Sequence, residues 1–264
     1  MAVTESGNFD PNIPNVARMY DYFLGGKDNF PADRAAAERV LTIVPEIPVG
    51  ARENRAFLGR AVRFLAESGV RQFLDIGTGL PTQENVHQVV ESVAPDARTV
   101  YVDNDPQVLT HARALLTNST NVRIIEGDLR RPAEILRHPE VGGHLDLSRP
   151  VAVLLLAIVH FIEEDPRPII AELLEPLAPG SWLVLSHVCI DIKPEAAPGV
   201  ERIYQGASAG FVGRRSDEIM SFFDALDVVP PGVVNLPEWR PELPELIPFP
   251  DAPPYFLCGV ARKP

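Results

Sequence analysis

Three short stretches of the 264-residue chain carry residues whose types and spacing suit ligand chemistry. The first is Asp75-Ile76-Gly77-Thr78-Gly79. Glycines two apart let a backbone turn sharply and approach a ligand closely. A helix beginning just beyond them offers free backbone N–H groups. The second stretch is Asp103-Asn104-Asp105-Pro106. A carboxylate at 103, about two dozen residues beyond the glycines, can accept hydrogen bonds from both hydroxyls of a ribose. Asp105 followed by Pro106 reads as a helix cap and first helical residue. The third stretch is Gly127-Asp128-Leu129. A lone Gly-x-Gly is weak evidence. Three such stretches are much stronger if each ends a parallel strand, because open α/β sheets bind ligands at the carboxyl ends of their strands.

The surrounding sequence predicts that arrangement. Residues 72–76, 98–102, 122–125, 151–157 and 182–186 are short apolar runs that read as strands. Helical stripes separate them: Val86, Val89, Val90 and Val93; Val108, Leu109, Ala112, Leu115 and Leu116; Ile169, Ile170, Leu173, Leu174 and Leu177. Strands alternating with helices imply a parallel sheet covered on both faces. Upstream, 51–68 is an amphipathic helix ended by Gly69, and 13–48 is helical in pieces broken by prolines and by Gly25-Gly26. Downstream, 216–226 reads as a helix and 228–234 and 255–260 as strands. Between these strands, 237–254 is a proline-rich surface loop or lid whose Leu243, Leu246, Ile247 and Phe249 need cover. The expected fold is a doubly wound, mostly parallel, Rossmann-like α/β sheet of seven strands. It comprises a helical lid segment at 1–50 and a ligand-binding domain at 51–264.

Composition excludes several functions. With 45% hydrophobic and 23% charged residues the chain is ordinary for a globular protein. A net charge of −12 argues against broad binding to nucleic acid, which needs clustered Lys and Arg. The longest apolar run, 151–159, is too short for a bilayer, and the first ten residues lack the features of a secretory signal. Cys189 and Cys258 lack metal-ligand spacing and read as reduced core residues, so no metal and a cytoplasmic location are expected.

The dinucleotide fingerprint requires a third glycine where this chain has Thr82, and Asp75 would sit poorly beside a pyrophosphate. A ligand with a ribose, a positive group and no phosphate fits better, as S-adenosylmethionine does. These residues reach a resemblance. Asp75-x-Gly77-x-Gly79, Asp103 and Gly127-Asp128 resemble the successive motifs of class I S-adenosylmethionine-dependent methyltransferases, with Pro81 a departure from the small residue common there. The longer runs Arg18-Met-Tyr-Asp-Tyr-Phe-Leu-Gly-Gly-Lys-Asp-Asn-Phe30, Phe73-Leu-Asp-Ile-Gly-Thr-Gly-Leu-Pro-Thr82 and Tyr101-Val-Asp-Asn-Asp-Pro106 resemble an actinobacterial S-adenosylmethionine methyltransferase family formerly classed as a domain of unknown function. The resemblance implies that Asp75, Gly77 and Gly79 hold the methionine end of the cofactor, with Thr78 also cofactor-binding, and Asp103 its ribose. It places Asn104 against the adenine, with Asp128 and Leu129 at the adenine edge. It also implies a last strand antiparallel to the rest, and it supplies no substrate.

Direct methyl transfer needs no nucleophilic triad. His160, after the fourth strand, is the candidate general base, because its ordinary pKa is near neutral. His187 is a weaker one, and Arg214-Arg215 reads as a solvated pair. The aromatic and glycine-rich segment with Tyr20, Tyr22, Gly25, Gly26, Lys27 and Asn29 is expected to fold over the cleft. Arg52 and Asn54 are expected to face the same cleft. A pocket of Tyr20, Phe23 and Phe161 would suit a small, partly apolar acceptor. The rivals are a non-catalytic sensor of S-adenosylmethionine or S-adenosylhomocysteine and a nucleotide-dependent oxidoreductase. A nucleic-acid methyltransferase is disfavoured by the charge and by the absence of an Asn/Asp-Pro-Pro-Tyr type motif after the fourth strand.

Overall fold

The computed structural model describes residues 10–81, 85–116, 119–241 and 255–264. Three helices come first: α1 (Val16–Phe23), α2 (Pro31–Ile43) and α3 (Ile47–Glu67). The alternating part follows, with β1 (Gln72–Ile76), α4 (Val86–Glu91), β2 (Arg98–Asp103), α5 (Pro106–Leu116) and β3 (Val122–Glu126). Two short helices, α6 (Pro132–Arg137) and α7 (Pro139–His144), lead to β4 (Ala152–Leu156). Then come α8 (Arg167–Leu174), β5 (Trp182–Val188), α9 (Ala197–Tyr204) and α10 (Ser216–Ser221). The chain closes with β6 (Asp227–Val228), β7 (Val234–Asn235) and β8 (Phe256–Arg262).

The strands lie in the order β3-β2-β1-β4-β5-β8-β6, and β7 also pairs with β8. The first five are parallel, and β8 runs antiparallel to β5. Strand order therefore reverses between β1 and β4, which opens a crevice at their carboxyl ends. Alternate residues feed two cores, as the period of a strand requires. Leu74, Val100, Val153 and Leu185 pack under α6, α7 and α8 on one face. Phe73, Tyr101, Leu154 and Val184 pack under α3 and α4 on the other. Each central strand is thus buried on both sides, which is why each reads as a near-continuous apolar run. Trp239 meets Phe57 edge to face at 5.3 Å and fixes α3 against this second core.

A third core joins Met19 of α1, Val40 of α2 and Val200 of α9. The amino-terminal helices therefore pack on a helix that follows β5. A buried ion pair ties α1 to α2, with Arg18 Nε 2.7 Å from the Asp33 carboxylate.

The structure corrects several boundaries. The helix expected at 51–68 begins at Ile47, because Pro48 falls in its first turn, where proline is tolerated. The expected division at residue 50 thus lies inside α3. The strand expected over 228–234 is two two-residue strands, since Pro230 and Pro231 have no N–H to give a ladder. The helix expected over 216–226 stops at Ser221. Helices α6, α7 and α9 were not expected, their prolines and glycines having masked them. Thr82, the Leu115 and Leu116 side chains, and loop residues Leu243, Leu246, Ile247 and Phe249 lie outside the described residues. Among those described, no helix is long and apolar enough to cross a membrane. Both cysteines are buried and unpaired.

Candidate active site

At the switch point, β1 ends in a loop that only glycine accommodates easily. Gly77 has φ +75° and Gly79 φ +67°. A side chain at Gly77 would also strike Ile158 in the loop after β4. The loop is joined to β2 by hydrogen bonds from the backbone N–H of Gly77 to the Val102 carbonyl at 2.9 Å and from that of Gly79 to Asp103 Oδ2 at 2.9 Å. Thr78 Oγ1 turns back to donate to the Asp75 carbonyl.

Two buried carboxylates face the space so formed. Burial pushes Asp75 up to about 7, opposed by the nearby Arg55 charge and reinforced by Asp103. Burial likewise raises Asp103 to about 6, although the N–H groups of Gly79 and Asp105 stabilise its charge. Asp105 caps α5 by accepting from the Gln107 N–H at 2.7 Å. Asp128, in the loop just past β3, is partly buried and takes a bidentate grip from Arg130, with a closest approach of 2.6 Å. Burial works against the Asp128 charge, but the Arg130 bonds outweigh it and hold the carboxyl below its ordinary value.

All eight expected cofactor residues, Asp75, Gly77, Thr78, Gly79, Asp103, Asn104, Asp128 and Leu129, line one cleft of about 680 Å³. Helix α1 roofs it. Asn15 and Arg18 reach across to Asp105 and Gln107 at the start of α5. A chain of bonds ties this roof to the sheet. Ser186 Oγ on β5 donates to Asn54 Oδ1 at 2.6 Å, Asn54 Nδ2 donates to Tyr20 Oη at 3.0 Å, and Tyr20 donates to the Ala51 carbonyl at 3.2 Å.

Of the expected lid residues, Tyr20 and Asn54 line the cleft. Tyr22, Gly25, Gly26, Lys27, Asn29 and Arg52 do not. Tyr22 bonds Glu38 on α2, and Gly25, at φ +82°, lies in the turn after α1. Asn29 and the Asp28 N–H serve the Asp21 carboxylate, which packs so closely on Gly26 that no side chain fits there. Lys27 and Arg52 face solvent. The α3 arginine at the cleft is Arg55, one turn beyond Ala51, with Asn54 and Leu58 beside it. The three- and four-residue spacing of Ala51, Asn54, Arg55 and Leu58 was the available signal.

The histidines also differ from expectation. His160 lies in a 3₁₀ turn, Val159–Phe161, and lines a second, apolar cavity beyond Phe161 instead of the cleft. Burial, helped by Arg214 and His187, pushes its pKa well below the ordinary value, so it is a weak proton acceptor. His187 donates from Nδ1 to the Val188 carbonyl at 2.7 Å and accepts from Arg214 at Nε2, 3.1 Å away, which leaves neither nitrogen for a substrate. Arg214 is not solvated: it is 5% exposed and donates to the carbonyls of Val159, Ile162 and Glu164. It thereby holds the loop that carries His160 and Phe161. Arg215 is the exposed member, paired with Asp191. Just before that loop, Ala157 adopts φ +53°.

Fold and cleft together define an α/β enzyme of the Rossmann-like methyltransferase class. The model of the S-adenosyl methyltransferase family matches residues 2–264, and the chain belongs to that family. A DUF574 family protein from Streptomyces avermitilis is 42% identical with a TM-score of 0.90, the match covering 97% of this chain and 99% of that one. A candidate methyltransferase from Thermobifida fusca is 41% identical with a TM-score of 0.89, over 99% of each chain. The plantazolicin methyltransferase BamL, solved with S-adenosylhomocysteine, shares the fold at 12% identity and a TM-score of 0.54, over 94% of this chain and 95% of that one. No functionally curated protein matches the chain in sequence. The protein is an S-adenosylmethionine-dependent methyltransferase.

Proposed function

We propose that the 680 Å³ cleft holds S-adenosylmethionine and that the protein methylates a small-molecule acceptor reaching the cofactor beneath α1. The observation that carries this reading is the pair of buried carboxylates, Asp75 and Asp103, at neighbouring strand ends behind a glycine turn. Asp103 would accept from the ribose hydroxyls, its aim fixed by the Gly79 N–H. Asp75 would face the positive methionine end, where a cation offsets the burial of its charge. Asn104 would lie against the adenine and Leu129 would pack at its edge. Asp128, already engaged by Arg130, would reach the adenine edge with its remaining acceptor capacity. When bound, the cofactor supplies a methyl group on a sulfonium. The chain aligns the acceptor and excludes water, the roles assigned here to Tyr20, Asn54 and the α1 roof.

The small size of the acceptor is inferred from that roof, and a net charge of −12 speaks against nucleic acid. His160 would orient the acceptor from the second cavity instead of taking its proton. Calorimetric titration with S-adenosylmethionine tests the reading, repeated with Asp103→Ala. Binding should weaken about 10-fold or more on loss of paired charge-assisted bonds. A folded wild-type protein that does not bind would overturn it.

A further inference from the structure

A second cavity, of about 70 Å³, lies behind Tyr20 and Phe161. Those two side chains and Val16 line both this cavity and the large cleft, so the two spaces adjoin there. Helices α1, α2 and α9 and the loops after β4 and β5 build its walls. The walls are rich in rings. Tyr204 and Phe211 stack with centroids 5.4 Å apart and planes 27° apart, Phe161 leans on Tyr204 at 5.7 Å, and His160 on Phe211 at 5.4 Å.

The charge pattern narrows the occupant. Among the described lining residues there is no Asp or Glu, and the one ammonium among them, on Lys193, donates to the Ile43 carbonyl at 2.8 Å. A cation placed here would lose its hydration with no carboxylate to face, and an anion would meet only a lysine already bonded. A neutral ring meets neither cost and gains offset or edge contacts with the wall rings. One polar feature stands out in this lining. His160 is 4% exposed and its Nδ1 has no hydrogen-bond partner. That nitrogen can donate to or accept from a polar substituent on an occupant.

We propose that this cavity binds a neutral aromatic ring of the methyl acceptor, leaving the atom to be methylated at the Tyr20–Phe161 boundary with the cleft. The proposal rests on the reading of the large cleft as the cofactor site. At about 70 Å³ the cavity is smaller than the roughly 150 Å³ that takes a whole benzene ring, so one edge of the ring enters it and the rest of the acceptor lies in the adjoining cleft.

The test uses the full chain saturated with S-adenosylhomocysteine and three fluorine-bearing probes followed by ¹⁹F NMR: 4-fluorophenol, 4-fluorobenzylammonium and 4-fluorobenzoate. The phenol should bind about 10-fold more tightly than either charged probe. Val200→Phe, which fills the cavity from α9, should weaken phenol binding about 10-fold while S-adenosylhomocysteine affinity stays within about 2-fold. Ala197→Leu fills it from the same helix by a smaller step and serves if the first variant fails to fold. Equal phenol binding by wild type and a folded cavity-filled variant, a preference for a charged probe, or no phenol binding would each overturn the pocket assignment. Failure of S-adenosylhomocysteine to bind the folded wild type would overturn the cofactor reading first, and the pocket with it.

Discussion

The backbone N–H of Gly79 donates to Oδ2 of Asp103 at 2.9 Å, so the glycine turn after β1 and the acid at the end of β2 form one unit. The other carboxylate oxygen accepts from the Asp105 N–H at 3.0 Å. Loop and acid thus hold each other in place before any ligand arrives.

Replacing that acid should separate affinity from stability. Burial pushes Asp103 up to about 6, so its charge is a cost to the fold at neutral pH. Asp103→Asn removes the charge, and its amide oxygen can accept from only one of the Gly79 and Asp105 N–H groups. Cofactor affinity should fall by about 10-fold, the scale of lost charge-assisted bonds, while relief of the buried charge offsets the lost backbone bond and the melting temperature of the ligand-free protein changes little. Calorimetry and thermal denaturation on one preparation check both. A large drop in melting temperature would mean that the carboxylate is structural.

Asp75 makes the ligand-free protein sensitive to pH. Its folded pKa, about 7, lies above the ordinary 3.8. The native state therefore holds more protons than the unfolded chain between those values. The stability this contributes is full below about 4 and lost as pH rises through about 7. Melting temperature against pH should decline across that window, and less steeply in Asp75→Asn. A bound cation favours the ionised carboxylate, so cofactor affinity should rise with pH up to about 7 and binding should release protons. Titrations in buffers of different ionisation heat measure that release.

The Arg18–Asp33 pair holds the roof. Both side chains are buried, and Asp33 also accepts from the N–H groups of Asn15 and Phe30. Removing one partner leaves the other charged and buried, a cost of about 3–5 kcal/mol. Arg18→Ala should lower stability on that scale in urea denaturation and weaken cofactor binding. Unchanged binding by the folded variant would show that α1 is not needed as a roof.

Ala157 sits at φ +53°, where β4 gives way to the loop carrying His160. Its N–H bonds to Ser186, the residue that also anchors Asn54. Ala157→Gly should stabilise the protein by up to about 1 kcal/mol through relief of left-handed strain. Ala157→Val should destabilise it by about 2 kcal/mol, because a β-branched residue tolerates that region worse. Denaturant midpoints measure both, and a reversed order would show that the conformation is not what limits this position.

The glycine turn, the acids at strand ends and the apolar strands were legible because their signals are local. A left-handed turn needs glycine at 77 and 79 whatever surrounds it, and a doubly covered strand must be apolar throughout. The lid was legible only as a segment. Tyr20 and Asn54 reach the cleft while Tyr22, Lys27 and Arg52 do not, because the docking of α1 and α3 sets which side of each helix faces the sheet.

The same division runs through the whole protein. By itself the sequence determined the alternating α/β order, the glycine turn after β1 and the acid at the end of β2, signals carried by backbone sterics, hydrophobic period and local motif. Only the tertiary structure decided that Arg214 is buried, that His160 lies behind Phe161 in an apolar cavity, and that Arg55 serves the cleft in place of Arg52. The reason is physical. Burial and charge environment depend on contacts between α1, α2, α9 and the loops after β4 and β5, segments far apart in the chain, and no local pattern encodes which of their side chains will meet.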